Sequence, residues 1–349
     1  MIDKVRHFIK INKTPDDCST LSANKLGSVK IVKKIGEESK DGVIYKACYP
    51  LNCKNQIAVK KIKIRIEGSE DKKYAKDFLN KDAVNSTTNS LWSELLFLTM
   101  TTELVQNKIC PNLPMYFNNK FCEKCEGGKY SCLYITNELA DGNLREYLKT
   151  DNYSLDELMS CFYQIFLGLY ALKYHFGVEH NDLHAGNVLF HNLNRKDKKP
   201  EIWRYKFDDK FYIDVPIYDK LFVIWDFGRS TIKGKVEPSE ILEISEDYNT
   251  GNLYEDYGHV VSNLISSEYS YTDRNKAKKN KIFIDYRNLL NALLTGVRKT
   301  AKASNNPRLM FELLPKYKTG KSKISKTFNI EKKYKSKDSF VESLKVYKK

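Results

Sequence analysis

The sequence predicts a mixed α and β protein of two lobes or domains with a cleft between them. Length is the first reason, because 349 residues exceed what a single hydrophobic core usually holds. The second is the apolar pattern, which alternates in the strands predicted before residue 61 and takes helical spacing from Asn89 to about Leu104 and again after residue 154. Hydrophobic residues make up 41% of the chain, which is enough for both cores.

The composition limits the partners. A formal net charge of +15 is typical of proteins that bind acidic molecules. Lysines far outnumber arginines, however, and Asn, Ile and Tyr are plentiful, which is the pattern of an AT-rich coding sequence. We therefore expect a general attraction to acidic partners and do not expect a nucleic-acid-binding protein.

The sequence also indicates the compartment. No run reaches the roughly 18 apolar residues that span a bilayer, and the first residues lack the apolar core of a signal peptide. We expect a soluble intracellular protein in the cytoplasm, with the virion or nucleus as alternatives. Eight scattered cysteines predict a reduced compartment and mostly free thiols.

An N-terminal extension, residues 1–27, precedes the strand-rich lobe at residues 28–139. Its first two strands flank a polar turn bounded by Gly36 and Gly42, and such glycines let backbone amides approach phosphates. Glu38 stands where a middle glycine is expected, so an ordinary hairpin is the plainer interpretation.

A third strand, residues 56–60, ends in Lys60. A buried ammonium needs an anionic partner, whereas an exposed strand-end lysine is the simpler alternative. A helix predicted from Asn89 to about Leu104 offers Glu94 as that partner, with Glu103 as the second choice.

Four cysteines allow a metal site. The C-x-x-C pair of Cys122 and Cys125 can supply two thiolates to Zn²⁺, and Cys110 and Cys132 can complete the set. A glycine-containing hairpin with free thiols is the alternative that we favour.

Residues 137–144 pass from an extended segment into a helix. In a two-lobed nucleotide enzyme this is the hinge, where the backbone of Glu138 and Ala140 pairs with the adenine edge. A capping box from Ser154 to Glu157 then begins a helix with one apolar face, which we interpret as core.

That helix leads to His180–Leu189, where Asp182 and Asn187 stand five positions apart. An Asp that accepts a hydroxyl proton, followed by an Asn that holds a divalent cation, indicates phosphoryl transfer. Asp226, within Asp-Phe-Gly at the end of an apolar run, supplies a second metal ligand. An isolated His-x-Asp is more often a capping group, but the two motifs occur in the required order.

Two segments of this half stand apart. Residues 191–220 predict an ordered insertion whose second part is aromatic. The last 34 residues, Lys316–Lys349, hold twelve lysines and three acidic residues. They predict a solvated, partly disordered basic tail with a capacity for acidic partners.

Together these motifs resemble the eukaryotic protein-kinase superfamily over about residues 28–315. The Asp-Leu-His-x-Gly-Asn spelling of the loop is most similar to haspin-like kinases and to serine/threonine protein kinases of large DNA viruses. The resemblance implies a bilobal α+β fold, with a small antiparallel-sheet N-lobe at 28–139 and a mainly helical C-lobe at 140–315. With the base composition, it also suggests a viral origin.

The resemblance implies roles for single residues. Asp182 is the catalytic base, and Asn187 and Asp226 hold Mg²⁺, with Mn²⁺ as an alternative ion. The residues that would contact ATP are Gly36, Gly42, Lys60, Glu94, Glu138 and Ala140. His180 and Asp256 would support the structure of the site.

The chain departs from the family at three points. Asn181 replaces an arginine that pairs with a phosphate on the activation loop, so we predict activity without such phosphorylation. His184 replaces a lysine often found two residues after the catalytic Asp, so the γ-phosphate charge must be neutralised by His184 or elsewhere. No Ala-Pro-Glu follows Asp-Phe-Gly, so substrate preference does not carry over.

The expected function is transfer of the ATP γ-phosphate to Ser or Thr hydroxyls of protein substrates. A pseudokinase or scaffold is one alternative, since the glycine turn is degenerate and the arginine is missing. A small-molecule phosphotransferase of the aminoglycoside or choline type is the other, because it shares the loop spelling. Asp-Phe-Gly and the intact set of Lys60, Asp182, Asn187 and Asp226 favour the protein kinase.

Overall fold

The computed structural model describes residues 25–39, 42–65, 90–125, 130–150, 153–195, 199–236 and 323–337, with residues 308 and 311. Within them the chain is a mixed α and β structure, as predicted. It divides into two compact units. The smaller contains residues 2–85 and 114–140, and the larger contains Met1, residues 86–113 and residues 141–349.

The smaller unit contains one antiparallel sheet with the strand order β1-β2-β3-β4-β6-β5. The strands are β1 Lys25–Leu26, β2 Val29–Ser39, β3 Gly42–Tyr49, β4 Asn55–Arg65, β5 Tyr116–Cys125 and β6 Tyr130–Glu138. The central strand β4 is rich in β-branched residues, which suit a pleated and buried surface. Its Ile57 and Val59 are fully buried.

Gly42 is required by the sheet itself. Its φ is +123°, a conformation that residues with a Cβ rarely adopt, and a Cβ there would stand 2.4 Å from the carbonyl oxygen of Lys61. Gly36 lies in β2, in the stretch where the register with β3 shifts between Ile35 and Ser39.

The larger unit contains three described helices: α1 Ser90–Gln106, α2 Leu144–Lys149 and α3 Leu155–Phe176. Its described strands are β7 Gly142–Asn143, β8 Val178–Glu179, β9 Val188–Asn192, β10 Glu201–Lys206, β11 Tyr212–Ile217, β12 Lys220–Ile224, β13 Thr231–Ile232 and β14 Ile324–Asn329. They form sheets of order β11-β10-β14, β12-β9-β7 and β13-β8. Asp256 lies outside the described residues, and a mainly helical C-lobe remains a prediction.

Helix α3 begins as its sequence predicts. The Ser154 hydroxyl accepts the N–H of Glu157 while the Glu157 carboxylate accepts the N–H of Ser154, which completes the capping box. Such a cap stabilises a helix by about 1 kcal/mol. Gly177 ends the helix in the left-handed conformation, and β8 follows directly. The chain therefore enters the His180 loop from a fixed direction.

Two described strands lie within the predicted insertion at 191–220. Its strands β10 and β11 pair antiparallel, and β14 adds to β10 in parallel. Trp203 and Tyr205 of β10 are buried, and both contact the ring of Phe328.

The prediction of a solvated tail is wrong for residues 324–330. They complete the insertion sheet, because Phe328 and Ile330 bury their side chains there. The overall lysine content hid this short apolar pattern.

The segment after β14 continues along the larger unit. The His175 Nε2 atom lies 2.7 Å from the carbonyl oxygen of Ile330. Further on, the Ser336 hydroxyl donates to both carboxylate oxygens of Glu103, at 2.8 and 2.6 Å, and the Lys337 N–H donates to one of them at 3.0 Å. Both Ser336 and Glu103 are buried, so residues 330–337 are fixed to α1 and α3.

The cysteines differ from the expectation of mostly free thiols. Disulfides join Cys48 to Cys53 and Cys125 to Cys132, and a bonded sulfur is not a thiolate ligand. Cys110 is a buried free thiol of the larger unit. The described residues contain no cluster of three or more metal-ligating His, Cys, Asp or Glu side chains, so the four-cysteine Zn²⁺ set is not formed there.

None of the helices in the described part of the chain has the length and apolar character needed to cross a membrane.

Candidate active site

Asn187 and Asp226 are brought together by one strand pair. Strands β9 and β12 are antiparallel, and Val188 pairs with Ile224 at the end of the ladder. The Trp225 N–H then donates to the carbonyl oxygen of Asn187 at 2.8 Å. Two motifs separated by 38 residues of sequence therefore leave the sheet at the same place.

Asp182 joins them through the amide of Asn187. The Asn187 Nδ2 atom donates to the carbonyl oxygen of Asp182 at 2.9 Å and lies 3.5 Å from its Oδ2 atom. A 3₁₀ turn over Ala185–Asn187, capped by the His184 side chain, returns the chain to make this contact. Asp182 and Asp226 are partly exposed, and Asn187 is buried.

His180 contacts both motifs. It is completely buried, and its Nε2 atom lies 2.9 Å from the carbonyl oxygen of Trp225. Its Nδ1 atom accepts the N–H of Asp182 at 3.3 Å. The ring also contacts that of Phe227, with centroids 5.2 Å apart. One imidazole therefore braces the backbone beside both acidic residues.

Two residues of the site have left-handed backbones. The φ values of Asn181 and Asp226 are 61° and 63°. Asn and Asp tolerate this conformation better than most residues, but it is uncommon outside glycine and concentrates at functional sites. Asn181 directly precedes the predicted base Asp182, and Asp226 is itself a predicted metal ligand.

Asn181 fixes the segment after Asp-Phe-Gly. Its Nδ2 atom donates to the carbonyl oxygen of Arg229 at 3.1 Å and to the Thr231 Oγ1 atom at 2.8 Å. The Ser230 hydroxyl donates to the carbonyl oxygen of His180 at 3.3 Å, and β13 pairs with β8. Neutral hydrogen bonds thus connect the loop to this segment.

A buried polar network, which the sequence reasoning missed, positions β12. The Asn112 Nδ2 atom donates to Gln164 Oε1 at 3.1 Å and to the carbonyl oxygen of Phe222 at 3.0 Å. Gln164 Oε1 also accepts the N–H of Phe222, and the Tyr205 hydroxyl donates to Asn112 Oδ1. Asn112 and Gln164 are fully buried. The one sequence signal for this role is that Gln164 is a polar residue on the apolar face of α3.

Burial lowers the pKa of His184 from its ordinary value. The carboxylates of Asp182 and Asp226 oppose this shift, while Arg145 and His180 add to it. His184 is therefore predominantly a neutral imidazole near pH 7. It can donate or accept a hydrogen bond there but brings no full positive charge.

The oxygens of Asn187 and Asp226 suit a hard cation. Mg²⁺ usually takes one or two protein ligands and completes its shell with water and substrate phosphates. With Asn187 Nδ2 turned to Asp182, its Oδ1 atom remains for a cation; Asp226 Oδ1 accepts the Gly228 N–H at 3.3 Å, and Oδ2 remains. The donor set therefore fits Mg²⁺ bound together with a nucleotide.

The other predicted ATP contacts are distributed over both units. Lys60 lies in the middle of β4, not at its end, and is 9% exposed. Glu94 of α1 is buried, and its helix contacts the site through Phe97, whose ring centroid lies 6.2 Å from that of Phe227. Lys60 and Glu94 belong to different units, and their pairing remains a prediction.

Two further acidic residues have structural partners. The Glu138 carboxylate accepts the Met115 N–H at 2.9 Å, while the Glu138 N–H donates to the Met115 carbonyl at 3.0 Å. Ala140 follows β6 and is partly exposed. Both carboxylate oxygens of Glu103 accept hydrogen bonds from residues 336–337, and the pairing of this second choice with Lys60 stays a prediction.

Comparison with known proteins gives two relatives. The chain is 26% identical over 161 residues to a candidate serine/threonine-protein kinase of Acanthamoeba polyphaga mimivirus, and 28% identical over 149 residues to one of Invertebrate iridescent virus 6. The chain is related to the protein-kinase superfamily. The matches cover 43% and 39% of this chain but 34% and 27% of the two kinases, so the chain spans about a third or less of each relative. No protein-family profile matches the chain.

Proposed function

We propose that this chain is an ATP-dependent protein kinase that transfers the γ-phosphate to Ser or Thr hydroxyls of protein substrates. The observation that carries the proposal is the convergence of Asp182, Asn187 and Asp226 through the β9–β12 pair. The relationship to the two viral kinases supports the same reaction.

Each side chain has a task in this proposal. Asp182 receives the proton of the substrate hydroxyl and orients that oxygen. Asn187 and Asp226 would hold Mg²⁺, which when bound neutralises phosphate charge. His180 keeps the backbone of Asp182 and Trp225 in place. Because the transition state of phosphoryl transfer is loose, positioning and charge neutralisation contribute more than proton removal.

The rest of the nucleotide site belongs to the same proposal. We assign the α- and β-phosphates to Lys60 with Glu94, the phosphate cover to Gly36 and Gly42, and the adenine edge to Glu138 and Ala140. The antiparallel sheet of the smaller unit is compatible with a kinase N-lobe. The bilobal fold that such a site requires is likewise proposed.

A labelling assay tests the function. The full chain is incubated with radiolabelled ATP, Mg²⁺, a generic basic protein and a panel of alcohols of the aminoglycoside and choline type. We expect label in phosphoserine or phosphothreonine of the protein, lost in Asp182→Asn and kept in Asp209→Asn, which removes an exposed carboxylate of the insertion.

The other outcomes identify the alternatives. Label in the alcohols alone would indicate a small-molecule phosphotransferase. Nucleotide binding without any transfer would indicate a pseudokinase. Either result overturns the proposed protein kinase.

A further inference from the structure

The loop that carries the proposed base lacks a cation. Residues 180–187 read His-Asn-Asp-Leu-His-Ala-Gly-Asn and contain neither lysine nor arginine. Transfer of a phosphoryl group spreads negative charge over its three equatorial oxygens, and a cation beside them lowers the barrier. That charge must come from outside the loop.

Arg229 lies beside the base. Its Nη1 atom is 3.5 Å from Asp182 Oδ1. The Arg229 side chain is 56% exposed and that of Asp182 is 29% exposed, so the pair faces solvent. An exposed ion pair of this kind stabilises a fold by at most about 1 kcal/mol. Stabilisation of the fold is therefore a poor explanation for this contact.

Three hydrogen bonds hold the backbone at Arg229 and its neighbour Ser230 in place. Its carbonyl oxygen accepts a hydrogen bond from Asn181 at 3.1 Å. The neighbouring Ser230 donates its N–H to the Phe227 carbonyl at 3.1 Å and its hydroxyl to the His180 carbonyl at 3.3 Å. The backbone of Arg229 is therefore fixed, while its guanidinium is exposed to an incoming ligand.

Among the described residues, Arg145 is another arginine near the loop. It lies beside Gly186 and His184, whereas Arg229 contacts the carboxylate of Asp182 itself. Because Asp182 must reach the attacking hydroxyl, a group within reach of its carboxylate is also near the phosphorus that this hydroxyl attacks. Arg229 is thus the better placed of the two.

We propose that Arg229 is a catalytic residue that contacts the transferring phosphoryl group of ATP and supplies the positive charge absent from the catalytic loop. This inference rests on the proposed kinase function. Without nucleotide the guanidinium pairs with Asp182, and the phosphoryl oxygens replace that partner when ATP is bound. A planar guanidinium binds such oxygens through two parallel N–H donors.

The step is balanced without Arg229 changing its protonation. The bond between the γ-phosphorus and the oxygen that bridges it to the β-phosphate breaks, and its electron pair leaves with ADP. A bond forms from the substrate hydroxyl oxygen to the γ-phosphorus. The hydroxyl proton moves to the carboxylate of Asp182.

The test compares steady-state kinetics of the full chain with Arg229→Gln, Arg229→Lys and the control Lys149→Gln. Lys149 is an exposed cation in the last turn of α2. We expect Arg229→Gln to lower kcat about 100-fold, the typical effect of removing one donor to a charged transition state, with less than about a threefold change in KM for ATP. Arg229→Lys should retain more activity, and Lys149→Gln should match the wild type.

Chemical rescue distinguishes direct contact from folding. Guanidinium ion at millimolar concentration should raise the kcat of Arg229→Ala severalfold and leave that of Asp182→Asn unchanged. Arg229→Gln as fast as the wild type, or faster, overturns the inference and leaves the kinase function standing. A wild-type chain that transfers no phosphate to protein overturns the proposed function itself.

Discussion

The Trp225 N–H and the carbonyl oxygen of Asn187 are 2.8 Å apart, and this bond extends the β9–β12 ladder by one step beyond its last residue pair. It brings the backbone before Asp226 next to Asn187, whose side-chain amide in turn contacts Asp182. The three side chains proposed to hold substrate and cation therefore depend on one backbone register.

Replacement of Asp226 should cost at least as much activity as replacement of Asp182. Base assistance is worth about 10²–10⁴-fold in rate, and Asp226→Ala also removes the proposed metal ligand. We expect kcat of Asp226→Ala to fall as far as that of Asp182→Ala or further. Single-turnover rates in Mg²⁺ measure both, and an Asp226→Ala rate near that of the wild type would defeat the assignment.

Activity should not require phosphorylation. The wild-type chain, expressed and treated so that mass spectrometry detects no phosphate, should be as active as the untreated chain. Asn181 fixes the segment of Arg229 and Thr231 by neutral hydrogen bonds, so no phosphate is needed for this contact. A dephosphorylated chain that remains inactive until modified would contradict this.

The bonds of Asn181 can be separated from its backbone conformation. Asn181→Gly keeps the left-handed φ of 61° and removes both bonds, worth about 1 kcal/mol each. Thr231→Val removes only the Oγ1 partner. We expect kcat to fall in the order wild type, Thr231→Val, Asn181→Gly. Equal rates in all three would show that these bonds do not position the segment.

The contact of Ser336 with Glu103 should stabilise the larger unit. Ser336→Ala removes a donor from a buried carboxylate, which costs about 1–3 kcal/mol. Ser336→Thr retains the hydroxyl and should lose less. Lys335→Ala, at an exposed neighbouring position, should stay within about 0.5 kcal/mol of the wild type. Urea unfolding compares the four chains, and an unchanged Ser336→Ala would mean that the contact contributes nothing.

Gly168 permits the close approach of α3 to β12. A Cβ at Gly168 would stand 2.9 Å from Ile224 Cδ1 and 3.0 Å from the Asn112 carbonyl oxygen. Overpacking of this kind costs about 1–3 kcal/mol, more than the gain of up to about 1 kcal/mol in helix propensity. We expect Gly168→Ala to lower the free energy of unfolding in urea. Adding Ile224→Val, which removes the Cδ1 atom, should restore part of it, and a stabilised Gly168→Ala would refute the packing argument.

The sequence was sufficient to predict those elements whose determining residues lie close together in the chain. The capping box before α3, the alternation of the first strands and the spacing of Asp182 and Asn187 each lie within a few residues, and the described elements follow them. The strand in the tail could not be predicted, because the lysine content of the tail concealed the Phe328 and Ile330 pattern that completes a sheet more than 100 residues away in sequence.

The sequence by itself determined which chemical groups are present: two acidic residues, one carboxamide and a loop without a cation. Tertiary structure alone decided which of them meet, since the β9–β12 register, the Asn112–Gln164 network and the place of Arg229 beside Asp182 are long-range contacts. The physical reason is that local propensity sets the conformation of a segment, whereas burial and hydrogen-bond satisfaction across distant segments set its partners.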